Sequence, residues 1–295
     1  MISSSLPTHW HLRSTRLALP HPGGALRRPL VMGIVNVTPD SFSDGGRHAA
    51  VDAAVAHGLR LVAEGADLLD VGGESTRPFS TPVEADEEIR RTAEVVRRLV
   101  CESGVPVSID TSKAAVAEHA LGHGAEIIND VTGLEGDPAM LALAVASRAG
   151  ICAMHMQGTP ATMQIDPHYG DVVGEIFQWL AARRDTLLAA GIERGRICLD
   201  PGIGFGKTHA HNLALVSHAG RFLDLGCPIL VGHSRKGFIG KALEAAIGRS
   251  ATRDELDAGT AGAACGLAEQ GIQIVRVHAV GLVRAALELF ATMQA

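Results

Sequence analysis

Aromatic residues are scarce, at 3% of 295 positions. A β-sandwich, which fills the space between its two sheets with large rings, is disfavoured by that scarcity. No stretch of about 20 apolar residues occurs, so nothing reads as a membrane-spanning helix. The formal net charge of −6 leaves no basic field for nucleic acid. The five cysteines (Cys101, Cys152, Cys198, Cys227 and Cys265) are scattered, odd in number and without a C-x-x-C pair. They read as reduced packing residues of a cytoplasmic protein. Acyl transfer by an activated serine finds no G-x-S-x-G elbow.

Small and branched aliphatic residues are plentiful instead. Hydrophobic positions reach 46% and glycines number 34, a composition suited to helices packed closely on a sheet. The length fits one large α/β barrel or two ordinary domains. Residues 1–29 mix Ser, His, Arg and Pro without a continuous apolar core. They read as a short, partly ordered extension, and the folded unit is expected over 30–295.

Eight apolar runs follow: Leu30–Val35, Leu68–Val71, Val105–Ile109, Glu126–Ile128, Ile151–Met154, Arg196–Leu199, Pro228–Val231 and Ile272–Val277. Between and after them lie amphipathic stretches at Asp52–Glu64, Val83–Glu102, Lys113–Leu121, Pro138–Ala149, Val172–Ala190, Asn212–Leu225, Glu255–Glu269 and Gly281–Met293. Several end at glycine (Gly65, Gly150, Gly191, Gly226, Gly271), where a left-handed cap costs least. Eight strand-then-helix units without a composition break predict an α/β fold, a single-domain (β/α)8 TIM barrel, ahead of a doubly wound sheet.

Each run also ends in polar residues: Asn36-Val-Thr38, Gly73-Glu-Ser-Thr-Arg77, Asp110-Thr-Ser-Lys113, Asn129-Asp130, His155-Met-Gln157, Asp200-Pro-Gly-Ile-Gly, Ser234-Arg-Lys236 and Arg276-Val-His278. In a barrel these ends converge on one face, where such enzymes place their chemistry. Polar residues also mark where strands simply stop, so the pattern supports an active site without naming a reaction.

The familiar short motifs do not supply the reaction. Gly202-Ile-Gly-Phe-Gly-Lys207-Thr208 has Pro201 where a phosphate loop needs glycine, and its third glycine comes too early for a dinucleotide fingerprint. His209-Ala-His211 offers two ligands where catalytic zinc needs three, and reads as a helix cap or surface pair. Arg183-Arg184 and Asp86–Arg91 read as solvated helix faces with charges spaced for i,i+4 contacts. Lys236, in a Gly-x-Ser-Arg-Lys-Gly loop, suits contact with an anion or ring better than a Schiff base.

Taken in order, these strand ends resemble the dihydropteroate synthase family across nearly the whole chain after the extension. The matching segments are Met32–Gly46, Gly72-Gly-Glu-Ser-Thr-Arg-Pro78, Ile109-Asp-Thr-Ser-Lys113, Ile127-Ile-Asn-Asp130, Met154-His-Met-Gln-Gly158, Asp200-Pro-Gly-Ile-Gly-Phe-Gly-Lys207, Ser234-Arg-Lys236 and Arg276-Val-His278. The resemblance implies a folate-biosynthesis transferase and sulfonamide target. It would condense 6-hydroxymethyl-7,8-dihydropterin diphosphate with p-aminobenzoate, with Mg²⁺ accompanying the diphosphate, as a cytoplasmic homodimer.

By the same resemblance, Asp110, Asn129 and Asp200 recognise the pterin edge, Met154 packs on its face, and Lys236 donates to its carbonyl and lies against the aminobenzoate. Asn36, Arg276 and His278 form the anion site, with Asn36 reaching the metal and Arg77 closing over it. Phe205, Thr76, Pro78 and Ser234 form the aminobenzoate pocket. Diphosphate leaves first in this scheme, and Asp110 stabilises the pterin cation; Asp110, Lys236, Arg276 and His278 are the expected catalytic residues. Loops around Pro39–Gly46 and Ser75–Thr81 are expected to close over bound diphosphate.

This chain departs from the family pattern at Phe79, usually glycine, and at Ala279, often Asp. Closing of the second loop is expected to bring the Phe79 ring to the rim of the aminobenzoate pocket. A pterin-dependent methyltransferase would need neither Ser-Thr-Arg-Pro nor Ser-Arg-Lys. A non-catalytic pterin- or folate-binding paralogue would not need to retain Asn36, Arg77, Arg276 and His278.

Overall fold

The computed structural model describes residues 6–21, 27–37 and 46–294. Positions 39–45 of the expected first loop lie outside the described residues. Eight parallel strands build one sheet: β3 (Leu30–Asn36), β4 (Leu68–Gly72), β5 (Val107–Asp110), β6 (Ile127–Asp130), β7 (Gly150–Met154), β8 (Ile197–Asp200), β9 (Leu230–Val231) and β10 (Ile274–Val277). Their order is β8-β7-β6-β5-β4-β3-β10-β9, and a parallel bridge between Leu199 and Ile229 joins the two ends, closing the barrel. Each of the eight apolar runs expected from sequence overlaps one of these strands.

The runs read as continuously apolar because both faces of every strand are covered. Successive residues alternate between two cores. Leu69, Ile128, Val231 and Val275 face the helix layer, whereas Leu68, Ile127, Leu230 and Ile274 face the barrel axis. The surrounding helices are α1 (Gly46–Ala63), α2 (Ala85–Glu102), α3 (Ala114–Gly122), α4 (Met140–Ser147), α5 (Val172–Ala189), α6 (His209–Ser217), α7 (Gly237–Ile247), α8 (Arg253–Glu269) and α9 (Val280–Met293).

Within the N-terminal segment, β1 (His9–His11) and β2 (Arg16–Ala18) pair as an antiparallel hairpin. Trp10, Leu12 and Leu19 are buried from it against Leu30, Met32, Leu68, Ile127, Cys152, Cys198, Leu230 and Ile274, so the hairpin plugs the N-terminal end of the barrel. The Trp10 indole donates to the Arg196 carbonyl at 3.0 Å. Helix α7 also had no counterpart in the sequence reading.

Three local readings need correction. Helix α4 stops at Arg148, which is itself left-handed (φ 58°), and Gly150 begins β7 instead of capping the helix. Arg183 is buried, donating to Glu135 at 3.2 Å and to the Leu134 carbonyl at 3.3 Å, because its helix face turns toward the β6 loop. Glu88 is likewise buried, 2.6 Å from Lys113, although Glu87 beside it forms the expected surface pairs with Arg90 and Arg91.

Candidate active site at the C-terminal mouth

Two residues above the apolar plug, the axis-facing side chains of the same strands become mostly polar. Asn129, Met154 and Asp200 come from β6, β7 and β8 and are buried, while Asp110 from β5 and Arg276 from β10 are partly covered. Asn36 ends β3 and is half-buried. The centre of the layer is Arg276. Its Nε donates to Asp70 Oδ2 at 2.6 Å and an Nη donates to Asp110 Oδ2 at 2.6 Å. Asn129 Nδ2 donates to the same Asp70 oxygen at 3.0 Å.

Asp70 was missed from sequence. Its side chain is fully buried and organises both Arg276 and Asn129, yet it lies inside the apolar run of β4 rather than at its polar end. An acid in the middle of such a run was the available signal, since a buried carboxylate persists only with partners. Lys113 was named only as part of a strand end. It pairs with Glu74 and with buried Glu88, and Glu74 accepts from the Val83 amide at 3.0 Å, which ties down the base of the second loop.

The electrostatics follow from burying several charges together. Burial, opposed by Arg276 and reinforced by Asp70, pushes the Asp110 carboxyl up to about 7. Burial also raises Asp200, opposed by the Gly202 amide that donates to it at 2.7 Å and by Lys236. Lys236 is pulled down to about 7 by burial, with Asp200 opposing. Arg276 stays charged: burial works against it, but Asp70 and Asp110 more than compensate. A compact layer of acids, one fixed cation and one titratable amine can recognise a heterocycle edge that carries both donors and acceptors.

Beyond β9 and β10, Ser234 Oγ accepts from the His278 amide at 3.2 Å and lies 3.0 Å from His278 Nδ1. Burial, then Arg235 and Arg276, hold His278 down at about 3, so its ring is neutral at pH 7. Lys236 Nζ donates to the Ile203 carbonyl and stands 4.0 Å from the centre of the Phe205 ring. Arg235 holds this loop through a two-pronged pair with Asp257 at 2.6 and 2.8 Å.

The second loop stands further out. Thr76 is half-buried, Arg77 and Pro78 are exposed, and Phe79 is 72% exposed. The Phe79 amide donates to the Pro160 carbonyl at 3.1 Å, and its φ of 64° lies in the region that favours glycine. His211 closes a capping box with Thr208 at the start of α6. Among the described residues no group of three or more His, Cys, Asp or Glu is placed to hold a metal, and no helix is long and apolar enough to cross a membrane.

Residues 32–278 match the family described as pterin binding enzyme. A dihydropteroate synthase of Neisseria meningitidis serogroup B is 46% identical over 270 residues, covering 90% of this chain and 93% of the relative. Among solved structures, Xanthomonas albilineans dihydropteroate synthase with 4-aminobenzoic acid superposes with a TM-score of 0.88 at 44% identity, covering 98% of this chain and 99% of that one. The same enzyme in complex with 7,8-dihydropteroate gives 0.84 at 42% identity, covering 97% and 99%. The chain belongs to the pterin-binding enzymes, in the dihydropteroate synthase family.

Proposed function

We propose that this protein is a dihydropteroate synthase, joining 6-hydroxymethyl-7,8-dihydropterin diphosphate to p-aminobenzoate and releasing diphosphate. The observation that carries the reading is the polar layer at the barrel mouth, where Asp70, Asp110, Asn129 and Asp200 surround Arg276. Such a layer offers acceptors to the amino and ring N–H groups of a pterin, and Lys236 a donor to its carbonyl. A ring lacking those groups would leave buried charges unpaired, which is the strongest basis for rejecting it.

Arg276 and neutral His278 supply donors on the diphosphate side, with exposed Arg77 free to close over it. As the diphosphate departs, the positive charge left on the pterin methylene falls beside Asp110. The aniline nitrogen attacks with its own lone pair, and the acidic anilinium so formed releases its extra proton to the departing diphosphate or to water, so no strong base is required. Phe205, Ser234, Thr76 and Pro78 line the aminobenzoate side, and Met154 packs on the pterin.

Bound Mg²⁺ would supply charge neutralisation to the diphosphate in this reading, with Asn36 as the residue that would hold it. A hard cation that keeps several waters and takes one or two protein oxygens fits the single amide oxygen of Asn36. A homodimer through outer helices is supported by the exposed apolar residues Leu282, Leu289 and Met293 of α9, and light scattering in solution tests it.

The test is to mix purified protein with the pterin diphosphate, p-aminobenzoate and Mg²⁺, and to separate products by chromatography. One dihydropteroate per diphosphate is expected, abolished by chelation. Tight pterin binding without product would favour a non-catalytic paralogue. Undiminished turnover after thorough chelation would remove the metal.

A further inference from the structure

Lys207 ends the Asp-Pro-Gly-Ile-Gly-Phe-Gly-Lys segment, and the reaction above makes no use of it. The residue is only 2% exposed. The partners of Nζ among the described residues are neutral: the Phe205 carbonyl at 2.8 Å, the His155 carbonyl at 3.4 Å and His155 Nδ1 at 3.1 Å. Burial, with Lys236 adding to it, pulls the Lys207 amine well below the usual lysine range, and burial and Lys207 hold His155 at about 3. The Lys207 amine donates to both carbonyls, and His155 Nδ1 completes its set of partners.

This contact joins two loops that have little room to move. A side chain at Gly202 would place its Cβ 1.9 Å from the His155 carbonyl oxygen, and one at Gly204 would stand 2.6 Å from Lys236 Cδ. The His155 ring is itself wedged edge-on against Trp179, with centroids 5.0 Å apart. From the joined loops hang Phe205, whose ring lies under the Lys236 ammonium, and the Ile203 carbonyl that accepts from it.

We propose that Lys207 is a positioning residue for the aromatic-amine half of the site: by tying the Phe205 and His155 carbonyls together it sets the Phe205 ring against Lys236, and so the affinity for p-aminobenzoate. The proposal rests on the synthase reading. Apart from the Lys236 donor, the pterin half is held by Asp70, Asp110, Asn129 and Asp200, to none of which Lys207 hydrogen-bonds, although Asp200 and Lys207 feel each other's charge; p-aminobenzoate should therefore respond more than the pterin.

The test compares Lys207→Met, which keeps the length without donors, with Lys207→Gln, which restores a two-donor head. For Lys207→Met the p-aminobenzoate KM should rise about tenfold, the scale of one or two hydrogen bonds. Its kcat and the calorimetric affinity for pterin diphosphate should stay within about twofold, a shift of a few tenths of a kcal/mol. Lys207→Gln should recover most of the lost affinity. Unchanged p-aminobenzoate KM in Lys207→Met, a joint decline of both substrates and melting temperature, or no advantage of Gln over Met would each overturn the proposal. Wild-type protein that makes no dihydropteroate contradicts the parent reading instead, and that control precedes the variants.

Discussion

The two ends of the barrel are made by the same strands, one step of two residues apart. Leu68 and Asp70 on β4, Ile127 and Asn129 on β6, Cys152 and Met154 on β7, Cys198 and Asp200 on β8, and Ile274 and Arg276 on β10 are successive residues on one strand face. The lower member of each pair packs in the dry cluster under Trp10. Most upper members are ionisable or polar. Burial stabilises the lower layer, whereas the upper layer desolvates several charges that partners only partly compensate. Stability and chemistry are thus separated by one layer, and the polar layer is the place where local rules of good packing are broken for function.

Removing the plug should have the largest effect. Trp10→Ala should cost about 3–5 kcal/mol in denaturant unfolding, the range for a large buried ring. Its kcat/KM should remain within about twofold under conditions where the protein is folded, a change of under ~0.5 kcal/mol. A specific loss of activity would break the division between the ends. In the other layer, Arg276→Met leaves Asp70 and Asp110 without their cation. Binding of the pterin diphosphate should weaken by about 2–4 kcal/mol, and normal affinity in calorimetry would mean that the anion site lies elsewhere. Asp70→Asn acts one contact further back. A loss of about 1–2 kcal/mol in kcat/KM is expected, and none would reduce Asp70 to packing.

Next comes pH. Because its carboxyl is raised to about 7, Asp110 stabilises the folded state most below its ordinary range, and the contribution is lost as pH rises through 7. Lys236, depressed to about 7, contributes fully above its ordinary range and loses that contribution as pH falls toward 7. The unliganded pocket should therefore be least stabilised by this pair near pH 7. Catalysis needs the carboxylate and the ammonium together, so kcat/KM should peak near the same pH, and Asp110→Asn should abolish the acid limb. A flat profile in the wild type would exclude both assignments.

The smallest effect is expected at Phe79. With φ at 64°, Phe79→Gly should raise stability by about 0.5–1 kcal/mol. If loop closure brings the ring to the aminobenzoate rim, the substitution should also tighten sulfonamide inhibition relative to the p-aminobenzoate KM by about 1 kcal/mol. Equal shifts in both constants would leave the ring a surface group.

How much of this was legible in sequence depended on how each residue satisfies its partners. The eight barrel strands were readable because two covered faces make an uninterrupted apolar run, and the polar ends were readable because each run stops abruptly. The hairpin escaped notice although Trp10 and Leu12 alternate with His9, His11 and Arg13, and Leu17 and Leu19 repeat the same period across small Ala18. Asp70, Glu88 and Arg183 were hidden for a common reason. A charge normally signals solvent, and only the three-dimensional partners Arg276, Lys113 and Glu135 make it tenable inside. Lys207 was quoted within a motif but had no role, because its partners are two backbone carbonyls and an imidazole.

The division between the two layers is tested most directly by single-turnover formation of 7,8-dihydropteroate in Asp110→Asn. The chemical step should slow a hundredfold or more, about 3 kcal/mol, as for a group facing developing charge. The dissociation constant of the pterin diphosphate should stay within about threefold of wild type, less than ~0.7 kcal/mol. An unchanged single-turnover rate would take the chemistry away from Asp110 and out of the polar layer as drawn here.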